Sequence, residues 1–225
     1  MFIFLILLML VSWGIQQRLR SKFSQYAQIG LHSGLSGREI AAKMLADHGI
    51  RDVQIISTDG QLTDNYNPTD KTVNLSADVY AGRSATAAAV AAHECGHAVQ
   101  HAQAYSFLRL RSALVPALSS VSRVMPLLLL AGVVLLRVSI IPLGLAVAVF
   151  ALATLFSFIT LPVEFDASRR ALAWMDRSGV VTTDEHAIAK DALWWAAMTY
   201  VVAAISSLAT LLYYGMMLFG GSRRN

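Results

Sequence analysis

The sequence predicts a mainly α-helical membrane protein: a bundle of about four transmembrane helices with a small α+β domain between the first and the second. Three observations lead there. Of 225 residues, 56% are apolar and only 14% charged, and the mean hydropathy is +0.53, outside the usual range of a soluble domain. Four stretches are long or apolar enough to be set against the roughly 20 residues that cross a bilayer as a helix. The ordinary globular composition is gathered into one block, residues 17–112.

Taken in chain order, residues 1–16 are apolar from the start and are followed at once by Arg18, Arg20 and Lys22. A secretory signal peptide carries its positive charge before the apolar run and a small-residue cleavage site after it. Here that order is reversed, so the segment is expected to be a retained anchor. Within 17–112, Ser36-Gly-Arg-Glu39 has the form of a capping box, and Ile40, Met44 and Leu45 follow before His48-Gly49, which predicts a short amphipathic helix. Residues 52–58 and 71–76 read as strands between turn-rich segments, and a short strand at 62–66 would complete a small meander. Ser84 is a plausible N-cap for an Ala-rich helix running through His93, His97 and His101.

Residues 113–161 form one apolar tract interrupted only by Arg123 and Arg137, long enough for a transmembrane hairpin with its turn around residues 137–139. A helical region, 162–195, follows. A last span is expected at 196–219, and a polar tail at 220–225.

Short loops rich in Lys and Arg stay in the cytoplasm. With 17–112 and 162–195 cytoplasmic, that side holds Arg18, Arg20, Lys22, Arg109, Arg111, Arg169, Arg170, Arg177 and Lys190 near span ends, against Arg137, Arg223 and Arg224 opposite. This arrangement is the expected one. The net charge of +4 needs no nucleic-acid partner, because the basic residues cluster beside apolar spans and suit an interface with the lipid bilayer. A single cysteine, Cys95, excludes an intrachain disulfide and a multi-cysteine zinc site.

The chemistry is concentrated in His93-Glu94-Cys95-Gly96-His97. Histidines four apart on a helix stand one turn apart on the same face and can grip one metal ion. Glu94, one position after the first, can reach a metal-bound water as general base without being a ligand. The run AAAVAAHECGHAVQHAQ supplies the helix this requires, giving the α+β domain a zincin-like character. A catalytic zinc site needs a third protein ligand. Gln103 stands where a metzincin would place its third histidine, which excludes that subclass. His101 lies roughly 12 Å from His93 at about 1.5 Å per residue, too far to share a tetrahedral site, and suits a supporting or substrate-facing position or, equally, a plain polar place at the helix edge.

The chain has four glutamates, Glu39, Glu94, Glu164 and Glu185. Glu164 stands directly after an apolar span, where a charged residue invites a functional explanation, and it is the expected third ligand. Asp166 and Ser168 are close enough on the same helix to bond the ligating imidazoles or to orient Glu164. For Arg169 and Arg170, snorkelling to the headgroup level outweighs contact with substrate.

With LTDNYNPTDKTVNLS (62–76), VAAHECGHAVQHAQ (90–103), LRLRSALVP (108–116) and LPVEFDASRRAL (161–172), the chain resembles the YugP-like membrane zinc metallopeptidases, a bacterial family, over nearly its whole length. The resemblance implies a gluzincin-type site in a bacterial cell membrane, with His93, His97 and Glu164 binding Zn2+ and Glu94 activating water. More distantly the arrangement is similar to the HtpX and CAAX prenyl protease group, whose third ligand opens a Glu-x-x-Ala-Asp pattern. Here position 168 is Ser and the acid sits at 166, so the supporting role of that group's aspartate does not transfer unchanged.

The expected activity is zinc-dependent hydrolysis of peptide bonds in protein or peptide substrates near the membrane. Tyr66, His101, His186 and the Arg169–Arg170 pair are candidate oxyanion donors, and the strand at 62–66 could take an extended substrate by edge pairing. A regulatory membrane partner or a homo-oligomer is compatible with this reading. Two rivals are an intramembrane-cleaving protease, disfavoured by the polar flanks Arg83, Gln100, His101 and Gln103, and a zinc-binding membrane adaptor that turns nothing over.

Overall fold

The computed structural model describes residues 2–60, 62–135 and 138–221. Arg137, expected in the hairpin turn, and Arg223 and Arg224, weighed in the topology, lie outside them. The chain is mainly helical with one small sheet, as its composition predicts. It divides into two compact units: Met1–Gly14, Arg109–Leu161 and Thr199–Asn225 make one, and Ile15–Leu108 and Pro162–Met198 the other.

In the second unit, helix α1 (Phe2–Tyr26) contributes its C-terminal part. Lys22 Nζ lies 2.9 Å from Asp191, which also accepts a 2.6 Å hydrogen bond from the Tyr26 hydroxyl. Helix α2 (Gly37–Asp47) begins at the predicted capping box: Ser36 Oγ accepts from Glu39 N, and Glu39 accepts from Ser36 N at 2.8 Å. Two otherwise orphaned backbone donors are thereby satisfied. Its apolar stripe, Ile40, Ala41, Met44 and Leu45, is buried.

Strands β1 (Gln54–Thr58), β2 (Asn65–Asn67) and β3 (Thr72–Ser76) form a sheet of order β1-β3-β2. The expected meander is replaced by a mixed sheet. β1 and β3 pair in parallel with Ile55 opposite Val73, while β2 pairs antiparallel with β3 on its other side, Tyr66 opposite Val73. A parallel pair cannot be joined by a tight hairpin, so the chain between β1 and β3 travels across the sheet, and β2 is the part of it that adds a strand. The 62–66 strand is also shorter than expected. Leu62 has φ +57°, a left-handed conformation that ends extended structure, so pairing starts only at Asn65.

A short helix, α3 (Ala77–Ala81), leads to α4 (Ala85–Ala102), capped as predicted by Ser84, whose Oγ accepts from Ala87 N at 3.2 Å. α4 is buried over most of its length. Its alanines leave room for neighbours to approach from every side, as a helix that is apolar all round requires. The core it organises includes Met44, Val73, Leu75, Cys95, Val99, Trp174 and Met175.

Helices α5 (Ser106–Ser122) and α6 (Met125–Val134) are bent by 56° at Arg123–Val124. Helices α7 (Ile141–Ser178) and α8 (Thr183–Gly221) are the longest. In the first unit the Cβ of a residue at Gly132 would lie 2.8 Å from Leu143 Cα, so the backbones of α6 and α7 touch there. Thr154 and Ser207 share a 2.8 Å hydrogen bond, and Phe150 stacks on Tyr214. Among the described residues α7 and α8 are long and apolar enough to cross a membrane, and the bent α5–α6 pair is a third candidate if it counts as one span. The expected first span begins at Met1, outside the described residues, and continues as α1. The second arm of the expected hairpin and the region carrying Glu164 are one continuous helix, α7.

Replacing Ser36 with Ala removes one half of the capping box. The expected cost is about 1 kcal/mol, within the roughly 0.5–2 kcal/mol range of such caps, read as a lower midpoint in thermal or denaturant unfolding of the detergent-solubilised protein.

Candidate metal centre

The 3.6-residue turn of α4 puts His93 and His97 on one face, with their rings in edge contact, centroids 4.8 Å apart. Glu164 of α7 meets them. One of its carboxylate oxygens lies 3.2 Å from His93 Nε2 and 3.6 Å from His97 Nε2, and the three potential ligand atoms all lie within 4.8 Å of one another. Two imidazole nitrogens and a carboxylate oxygen are the donor set of a hydrolytic zinc site, with a fourth position left for water. The three residues fit the metal on the chemistry of their donors. Their side chains are 14%, 8% and 3% exposed in the order His93, His97, Glu164, so the cluster is reached from the His93 side.

Such convergence needs α4 and α7 to come close, and Gly96 permits it. A Cβ there would stand 2.6 Å from the carbonyl oxygen of Ala167, well inside contact distance. The HExxH motif thus carries a packing residue between its histidines.

The Nδ1 atoms of both histidines are engaged. His93 Nδ1 lies 3.1 Å from Ser168 Oγ, one turn beyond Glu164. His97 Nδ1 lies 3.0 Å from Gln100 Oε1. The Gln100 amide nitrogen donates to the carbonyl of Val163 at 2.8 Å and to Asp166 Oδ2 at 2.9 Å. Arg169 and Arg170 both bond Asp166. Arg170 also donates to the Gln103 side chain and lies over the Tyr105 ring. Polar bonds from Val163, Asp166 and Arg170 thus tie α7 to the last turn of α4. Glu94, next to His93 in the chain, is 7% exposed.

The remaining candidates are placed elsewhere. The Tyr66 hydroxyl and His101 Nδ1 bond each other at 2.7 Å beside a small cavity that Asp52 and Lys71 also line. His186 Nε2 lies 3.3 Å from the carbonyl of Leu172. Arg169 and Arg170 are anchored on Asp166 instead of reaching out alone. Cys95 turns into the core with Sγ 3.6 Å from the Ala41 carbonyl, and burial pushes its thiol well above the usual range. Gln100, read from sequence only as a polar flank, is completely buried and touches His97. Its signal was its place three residues after His97, on the same helical face.

The family model described as "Putative neutral zinc metallopeptidase" matches residues 1–219. The chain is 40% identical over 226 residues to "Putative membrane protease YugP" of Bacillus subtilis (strain 168), covering 100% of both chains. No solved structure matches it.

Gly96→Ala forces α4 and α7 apart at their closest point. The expected result is a loss of about 1–3 kcal/mol, typical of overpacking a tight contact, together with weaker zinc binding, measured by unfolding and by metal titration of the same preparation.

Proposed function

We propose that this chain, which belongs to the family described as "Putative neutral zinc metallopeptidase", hydrolyses peptide bonds of protein or peptide substrates at a membrane surface, with zinc held by His93, His97 and Glu164. The observation that carries this reading is the convergence of Glu164 on the two Nε2 atoms of the HExxH helix. Zinc in this position would supply a Lewis acid for the scissile carbonyl and lower the pKa of water. Glu94 accepts the proton of the attacking water and delivers it to the leaving amine. Ser168 and Gln100 hold the imidazoles by their far nitrogens, as outer partners of metal ligands do.

Several features support the substrate side of the reading. Among the described residues β2 pairs only with β3 and is an edge strand of the sheet, which suits an extended peptide added as a further strand. Ser168 also lines a cleft of about 670 Å3 between the α7 and α8 segments of the second unit. Its walls include Phe165, Leu172, Leu193 and Trp194, and pockets of this size and apolar character take organic side chains.

The apolar helices α7 and α8 support a multi-pass protein of the bacterial cell membrane, and the relative's printed name, membrane protease, agrees with that. The distribution of Lys and Arg favours an active site facing the cytoplasm. α4, which carries the histidines, is not among the candidate spans, which favours a site at the membrane surface over cleavage inside the bilayer.

Glu94→Gln is expected to keep its zinc and to lose hydrolysis by roughly 10²–10⁴-fold, the contribution of a positioned general base. Full activity in a zinc-loaded Glu94→Gln protein would overturn the peptidase reading, and lost activity with retained zinc would separate it from an adaptor. Glu164→Ala should weaken zinc binding by more than the roughly 10–100-fold typical of losing an outer partner. Metal analysis after dialysis against a chelator measures this, and undiminished zinc would remove Glu164 from the ligand set.

A further inference from the structure

We propose that Gln100 is a positioning residue that holds His97 in its Nδ1–H tautomer, so that Nε2 keeps its lone pair for a metal ion shared with His93 and Glu164. The inference rests on the reading of His97 as a zinc ligand, and it starts from the orientation of one buried amide. The Gln100 side chain has three polar neighbours: His97 Nδ1 at 3.0 Å, the Val163 carbonyl at 2.8 Å and Asp166 Oδ2 at 2.9 Å. The carbonyl can only accept. So does Asp166 Oδ2, which already accepts from Arg170 Nε, while Oδ1 accepts from Arg169.

Both amide protons of Gln100 are therefore committed, one to each acceptor. The opposite orientation would set the amide oxygen against two acceptors in a place sealed from water, where an unmade hydrogen bond carries its full desolvation cost. With the orientation decided, Oε1 faces His97. An amide oxygen only accepts, so His97 Nδ1 must carry the proton. A neutral imidazole has a single N–H, which leaves Nε2 bare.

His93 differs. Its Nδ1 partner is the Ser168 hydroxyl, which can donate as readily as accept and so imposes no tautomer. One histidine of the pair is preset by the fold and the other is adaptable. The tautomer at His97 is thus dictated from α7, through Asp166 and the Val163 carbonyl, by contacts that cross between two helices.

The test reads tautomers and metal affinity and needs no hydrolysis, so it stands or falls separately from the peptidase reading. Nitrogen-15 spectra of histidine-labelled, chelator-treated protein, at a pH where the imidazoles are neutral, should show His97 protonated at Nδ1. An Nε2–H signal there overturns the proposal. Competition with a chromogenic chelator should show zinc binding weakened roughly 10–100-fold in Gln100→Leu, and binding at the wild-type level would also overturn it.

Gln100→Glu brings a carboxylate against Asp166 and should weaken zinc as well. The same spectra of Gln100→Leu should lose the His97 Nδ1–H preference, which a purely packing role would leave in place, so an unchanged tautomer counts against the proposal. If Gln100→Leu fails to fold, the wild-type spectrum still decides.

Discussion

The close passage of α4 and α7 at Gly96 and Ala167 is the constraint on which the site depends. Glu164 can reach the Nε2 atoms of His93 and His97 only because no side chain separates the two helices at that level. The same proximity lets Gln100 reach the Val163 carbonyl and Asp166, and lets Ser168 reach His93. A larger residue at 96 would act on all of these contacts at once. The glycine of the motif is a matter of backbone separation and not of chain flexibility.

Closeness brings polar groups out of water, and the second unit answers that cost with partners for each of them. His97, Gln100, Glu164, Asp166 and Ser168 are all buried. Each would destabilise the fold if left alone, and a half-satisfied network is worse than an apolar core. Here the donors and acceptors run in order from the guanidinium groups of Arg169 and Arg170 through Asp166 and Gln100 to His97. The charge that a buried carboxylate would otherwise carry unpaired is met by two cations at the more open end of the chain of bonds. The same set of interactions therefore stabilises the fold and fixes the placement of His93, His97 and Glu164.

Around this seam the remaining elements supply rigidity. α4 is lined with alanines, so α2, the sheet and α7 can all pack on it, and Met44, Val73, Leu75 and Met175 close the core. Trp174 donates to Asp47 at 2.9 Å, tying α7 to α2 beyond the metal cluster. His93, His97 and Glu164 stand on helices whose own positions are over-determined by packing, which is what a site held to a fraction of an ångström requires. The helix that presents Glu164 also contains an apolar segment long enough to cross a membrane.

The amino-acid sequence by itself determined what depends on neighbours within a few residues. The HExxH spacing put two imidazoles on one helical face, Ser36 and Ser84 marked two helix starts, and the apolar runs marked α7 and α8. These are interactions between residues one to four positions apart, so periodicity and capping chemistry reveal them. Tertiary structure alone decided the rest. The parallel pairing of β1 with β3, and the exile of β2 to the far edge, turn on which strand finds which partner. Glu164 could be nominated from its place after an apolar run, but its meeting with His93 and His97 spans 66 intervening residues. Gln100 was hidden for the same reason: an amide on a helix shows a polar residue, and only the packing of α7 shows that its two protons are already spoken for.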